Sequence, residues 1–169
     1  MKFEMKRLSK EAVVAALQKA ERYRLLNEPS AAESICHDVL LTDPGNTEAR
    51  VALLLSLTDQ FGGVVGGDLT RARAVLDALP DPYHRAYYGG IICERWAKAV
   101  YHRNALGSGP IVHHWLTEAM KLYEVAEGVR RPGDDVSILR WNACARLLER
   151  HPDLLTPRDE GLGGPITSE

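Results

Sequence analysis

The stretch that decides the fold is AESICHDVLLTDPGNTEARVALLLSL, residues 32–57. An apolar pattern carried by Ala32, Ile35, Cys36, Val39 and Leu40 breaks at Asp43-Pro44-Gly45-Asn46 and resumes at once with Val51, Leu53, Leu54, Leu55 and Leu57. Spacings of three and four residues mark one face of an α-helix. Proline cannot continue a helix, glycine frees the backbone, and asparagine is a good first cap, so four residues end one helix and begin the next. Helices joined so tightly fold back on each other as an antiparallel pair.

The same punctuation repeats in both directions. Ser9 is placed to cap a helix with Val13, Leu17, Ala20 and Leu25, which Asn27-Glu28-Pro29 stops. Ser30 and Glu33 have the spacing of a capping box for the second helix. The third helix is expected over 46–60, followed by FGGVVGG at 61–67, whose glycine density reads as a loop. Asp68 then caps a short helix with Leu69, Ala72, Val75, Leu76 and Leu79, closed by Pro80-Asp81-Pro82. Proline at 82 suits the first turn of a fifth helix reaching residue 104. ALGSGP at 105–110 separates it from a sixth helix over 111–128, and Arg131-Pro132-Gly133 separates that from a seventh ending near Glu149. Seven helices and no period-two strand define an all-α chain. Its helical domain is expected over 1–152, with 153–169 too poor in apolar residues to pack and so a flexible tail.

Composition narrows the function classes. With 45% hydrophobic and 26% charged residues in 169, the chain is of ordinary globular make-up. Neither a signal peptide nor a membrane-spanning run is legible, so a soluble cytoplasmic protein is expected. Net charge is −2, but residues 82–150 carry 10 Lys or Arg against 7 Asp or Glu. That excess is too small and too dispersed for a general nucleic-acid surface. Cys36, Cys93 and Cys144 are odd in number and far apart, which suits buried, reduced filler rather than a disulfide or zinc framework.

Residues 13–46 resemble one tetratricopeptide repeat, a helix-turn-helix unit of about 34 residues. Ala20 and Tyr23 in the first helix, Ala32 in the second and the closing Pro44 carry the likeness, while Lys19, Cys36 and Val39 depart from the usual residues. A second unit looks like residues 47–82, with Leu53, Leu54, Leu57, Ala72 and Leu76; a third, 83–133, has Tyr87-Tyr88-Gly89-Gly90, Ala119, Tyr123, Ala126 and Pro132. The resemblance implies a right-handed solenoid of antiparallel helical hairpins, about three repeats with the seventh helix as a cap. Such a stack curves and presents its odd-numbered helices to an extended concave groove.

By that resemblance the groove would expose Leu17, Glu21 and Arg24 from the first helix, Glu48, Val51, Leu55 and Asp59 from the third, and Tyr87, Glu94, Arg95, Lys98, Arg140 and Asn142 from the fifth and seventh. Leu17, Val51, Leu55 and Tyr87 read equally well as core. A lysine and asparagine clamp for a terminal carboxylate is absent at the matching positions, Leu17, Glu21 and Leu55. Arg95, Lys98 and Arg140 suit an acidic or phosphate-bearing peptide instead. The expected function is a non-catalytic adaptor without cofactor, binding a protein or peptide. Two alternatives stand beside it: a self-assembling or supporting subunit, and a small metal-binding helical protein.

The metal alternative rests on His113, His114 and Glu118, where the latter two are one turn apart on a helix. A third ligand at defined spacing is missing, and a histidine beside Trp115 is more simply a packed or solvated side chain. Cys93 near His84 or His102 lacks any local pattern for a base or oxyanion hole, so catalysis is not expected.

Overall fold

The computed structural model describes residues 3–63, 69–103 and 107–154. Among them are seven α-helices and no strand: α1 Val13–Leu25, α2 Pro29–Thr42, α3 Thr47–Asp59, α4 Leu69–Asp77, α5 Pro82–His102, α6 Gly109–Val129 and α7 Val136–Arg150. Single 3-10 turns precede and follow them at Lys10–Ala12 and Pro152–Leu154. The expected Asp68 cap and the tail beyond 154 lie outside the described residues, as do 64–68 and 104–106 of the two glycine-containing loops.

Local chemistry explains the breaks. Asn27 sits at φ 59°, the left-handed conformation that closes a helix, and Glu28 N–H returns to the Tyr23 carbonyl at 2.9 Å. Asn46 accepts from Ala49 N–H at 2.8 Å and so caps α3. Asp81 accepts from Tyr83 N–H at 3.3 Å, and Pro82 fills the first turn of α5.

Two other expected caps are not formed. Ser9 precedes the first 3-10 turn in an extended conformation, but its side chain makes no cap bond. Helix α2 starts at Pro29, so Ser30 and Glu33 are already inside it. Their side chains turn to other helices: Ser30 donates to Gln60 at 3.3 Å, while Glu33 accepts from Gln60 at 2.7 Å and pairs with Arg71. Proline at the first helical position leaves fewer orphan donors for a capping box to serve.

Consecutive helices are antiparallel, as named contacts show. Ser30 at the start of α2 meets Gln60 at the end of α3, and Arg50 at the start of α3 donates to the Ala78 carbonyl just past α4. Along α5 and α6, Gly90 faces Tyr123 while Trp96 lies 6.5 Å from Trp115. Trp141 of α7 donates to Glu124 of α6 at 2.9 Å. Between α1 and α2 the connection at 26–28 can reach only about 11 Å, against helices about 20 Å long, which forces the same reversal. Alternate helices also touch, α1 with α3 and α3 with α5.

Small residues let these helices approach. Ala20, Ala32, Ala72, Ala119 and Ala126 are all fully buried. One apolar cluster joins α1 through α5 around Leu53, Leu54, Leu57 and Ile92; another joins α5, α6 and α7 around Ile91, Leu116, Tyr123 and Cys144. Phe61 belongs to the first and not to a free loop: it is 1% exposed and stands edge-on to Trp96, ring centres 5.2 Å apart. After α7 the chain turns back, and Leu154 is buried in the second cluster. All three cysteines are buried and unpaired.

Candidate functional site

The expected groove residues separate into two groups. Leu17 is buried with Val13, Val39 and Ala49, so it is core and unavailable to a ligand. Its helix position faces both neighbours of α1, which the spacing alone did not distinguish from an outward face. Val51 and Leu55 are half-buried and pack on the core as well. Glu48 lies in the first turn of α3, at the far end of that helix from Asp59. Glu21 is exposed one turn before Arg24, and Asn142 is half-buried two residues beyond Arg140.

Arg24, Arg95, Lys98 and Arg140 are brought together by two carboxylates that they share. Asp59, the last residue of α3, accepts from Arg24 Nε at 2.7 Å and from Arg95 Nη1 at 2.5 Å. Arg95 also donates to the Thr58 hydroxyl at 2.6 Å and the Leu55 carbonyl at 3.1 Å. Burial pulls the Arg95 guanidinium below its ordinary range against the attraction of Asp59. One carboxylate thus ties α1, α3 and α5.

Glu94 is the second hub, at 1% exposure. It accepts from the Tyr123 hydroxyl at 2.6 Å and Lys98 Nζ at 2.5 Å, with Arg140 Nη1 at 3.4 Å. Burial alone would raise its carboxyl, but the hydrogen bonds from Lys98 and Tyr123 outweigh it and hold the group below the usual carboxylate range. Tyr123 is pushed the other way, first by burial and then by the Glu94 charge. For Arg140, burial is outweighed by Glu94, which holds the cation firmly charged. Tyr87 stands beside Arg140 and stacks on Tyr83 with ring centres 5.9 Å apart. The result is a strip across α1, α3, α5 and α7 with four cations and two carboxylates.

A second feature lies on the other side of α5. A cleft of about 450 Å³ opens between α4, α5 and α6, with Leu76, Gly89, Ile92 and Leu122 inside and Arg73, His114 and Glu118 at its rim. Two of the three expected metal-site residues, His114 and Glu118, therefore do line a cavity, while His113 is half-buried beside it in sequence but not in its lining. Glu118 is held by Lys121 at 2.7 Å, which lowers its pKa. Among the described residues, no three His, Cys, Asp or Glu side chains are placed to hold one metal ion.

Burial pushes the Cys36 and Cys93 thiols up to about 11 and Cys144 up to about 12, so all three are protonated at neutral pH. No helix among the described residues is long and apolar enough to cross a membrane. No protein-family model matches the chain, and neither a curated protein nor a solved structure matches it.

Sequence reasoning missed Asp59 and Glu94 as hubs, although it placed both on this face. The available signal was their position: each carboxylate lies among cations three or four residues away or on the next odd-numbered helix.

Proposed function

We propose that the chain is a tetratricopeptide-like adaptor, a right-handed solenoid of three hairpins with α7 as its cap, which binds an acidic peptide segment without catalysis. The observation that carries this reading is the clustering of four cations on one face, Arg24, Arg95, Lys98 and Arg140, gathered around Asp59 and Glu94, with Glu21 one turn before Arg24. Contacts of α1 with α3 and of α3 with α5 support the stacking. Lys98 and Arg140 keep side-chain exposures of 43% and 40%, so each can turn a donor toward a ligand while remaining near Glu94. Carboxylates or phosphates are the natural acceptors for such forks and ammonium groups.

The test is a titration of a fluorescein-labelled oligoglutamate peptide, followed by anisotropy, against wild type and Arg140→Gln. Saturable binding that weakens in salt and in the variant is expected. Binding that is equal for both proteins, with both folded, would overturn the reading.

Self-assembly is a second reading, favoured by apolar side chains left open at both ends of the helix order. Leu25 and Leu26 at the end of α1 are 82% and 62% exposed, and Val129 and Leu139 on α6 and α7 are 55% and 66% exposed. Sedimentation over a range of concentrations separates the two: a constant monomer removes assembly.

A further inference from the structure

We infer that the cleft between α4, α5 and α6 is a separate ligand site, taking a small organic anion with an apolar body. On α5 its residues Gly89, Ile92 and Cys93 share one helical face, whereas Glu94, Arg95 and Lys98 of the cation strip lie on the opposite one. The cleft is therefore separate from the surface proposed for a peptide.

The two adjacent glycines of α5 differ in what surrounds them. A Cβ on Gly90 would lie 2.4 Å from the Tyr123 ring, so helix packing requires a glycine there. At Gly89 the nearest neighbours of a Cβ would be Leu122 at 3.4 Å and Leu76 at 3.5 Å, ordinary contact distances. Packing does not demand glycine at 89, and glycine inside a helix is disfavoured relative to alanine. What its missing side chain does is leave room between Leu76 and Leu122, both of which line the cleft.

Charge at the mouth of the cleft points to the same kind of ligand. Arg73 stands with its guanidinium carbon 5.3 Å from the centre of the Trp115 ring, and both residues line the cleft. Arg73 makes no ion pair with a carboxylate among the described residues. The acid across the rim, Glu118, is already neutralised by Lys121. A planar cation held over an indole, unpaired, beside an apolar floor is complementary to a carboxylate, sulfonate or similar group joined to a hydrocarbon body. The volume of about 450 Å³ lies in the range of small-molecule sites.

A suitable probe is 8-anilinonaphthalene-1-sulfonate, whose sulfonate and fused rings reproduce both features, compared with N-phenyl-1-naphthylamine, which keeps the rings and lacks the charge. Fluorescence titration of the full chain should show one saturable site for the anionic probe. Arg73→Gln should weaken that probe about tenfold and leave the neutral one within about twofold. Gly89→Ala, which places a methyl in the cleft, should weaken both while raising the thermal midpoint. Absence of saturable binding, or anionic binding unchanged in both variants, would overturn the inference and assign any signal to the exposed apolar ends. Circular dichroism of each variant confirms that the helices are retained.

Discussion

Replacing Glu94 with glutamine tests whether the buried hub acts through its charge. The amide keeps the size of the side chain and still accepts from Tyr123, whose hydroxyl is 2.6 Å away. It loses the charge-assisted bond to Lys98 and the attraction of Arg140. A hydrogen bond to a charged group contributes about 1.5–3 kcal/mol, and both cations can recover water, so about 2 kcal/mol is expected. For a chain of this size that corresponds to a fall of about 4–8 °C in the thermal midpoint. The effect has a pH signature. Because the folded pKa is held below the ordinary 4.5, ionised Glu94 stabilises the fold fully above that value, and its contribution is lost as pH falls through the lower folded value. Thermal and urea unfolding of wild type and Glu94→Gln at several pH values measure both quantities. An unchanged midpoint at neutral pH would refute the hub, as would a gap between the two proteins that stays constant as pH drops below the unfolded pKa.

Gly90→Ala forces a methyl onto the Tyr123 ring at 2.4 Å and should cost about 1–3 kcal/mol by urea unfolding, although alanine is the better helix former. Asp59→Asn should cost about 1–2 kcal/mol, and Arg24→Ala should cost less in that background than in wild type, since the carboxylate serves both arginines. The three thiols, buried and held at about 11 to 12, should resist iodoacetamide in the native protein and react together on unfolding; fast native labelling of any one of them, read by mass spectrometry, would contradict that burial.

The helices were legible because their breaks are chemical. Asp43-Pro44-Gly45-Asn46 and Pro80-Asp81-Pro82 interrupt α-helix for reasons internal to a few residues, and the structure turns at both. Side chains whose partners are distant in the chain were not legible. Ser30 and Glu33 satisfy a local capping pattern, yet partners about 30 residues away claim them. Leu17 sits on a face that reads as outward or inward until the neighbouring helices are placed. Glu94 looks like a solvated helix charge, and its burial becomes tolerable only once Tyr123 and Arg140, from other helices, join Lys98 around it. Of the site, the cations Arg24, Arg95, Lys98 and Arg140 were readable as one face. The cleft beside Gly89 was not, because a cavity is a property of three helices at once.

Asp59 closes α3 at the end where the helix dipole is negative, a place that disfavours an anion. The two guanidinium groups that reach it therefore offset a local penalty as well as join three helices. A visiting carboxylate that drew Arg95 away would leave this one poorly compensated, so a singly charged ligand exchanges one pairing for another with little gain. A run of acidic residues, as proposed above, would engage several cations together and escape that competition. If the proposed acidic segment binds this strip, its affinity should rise steeply once it carries more than one acid and stay flat for solitary ones.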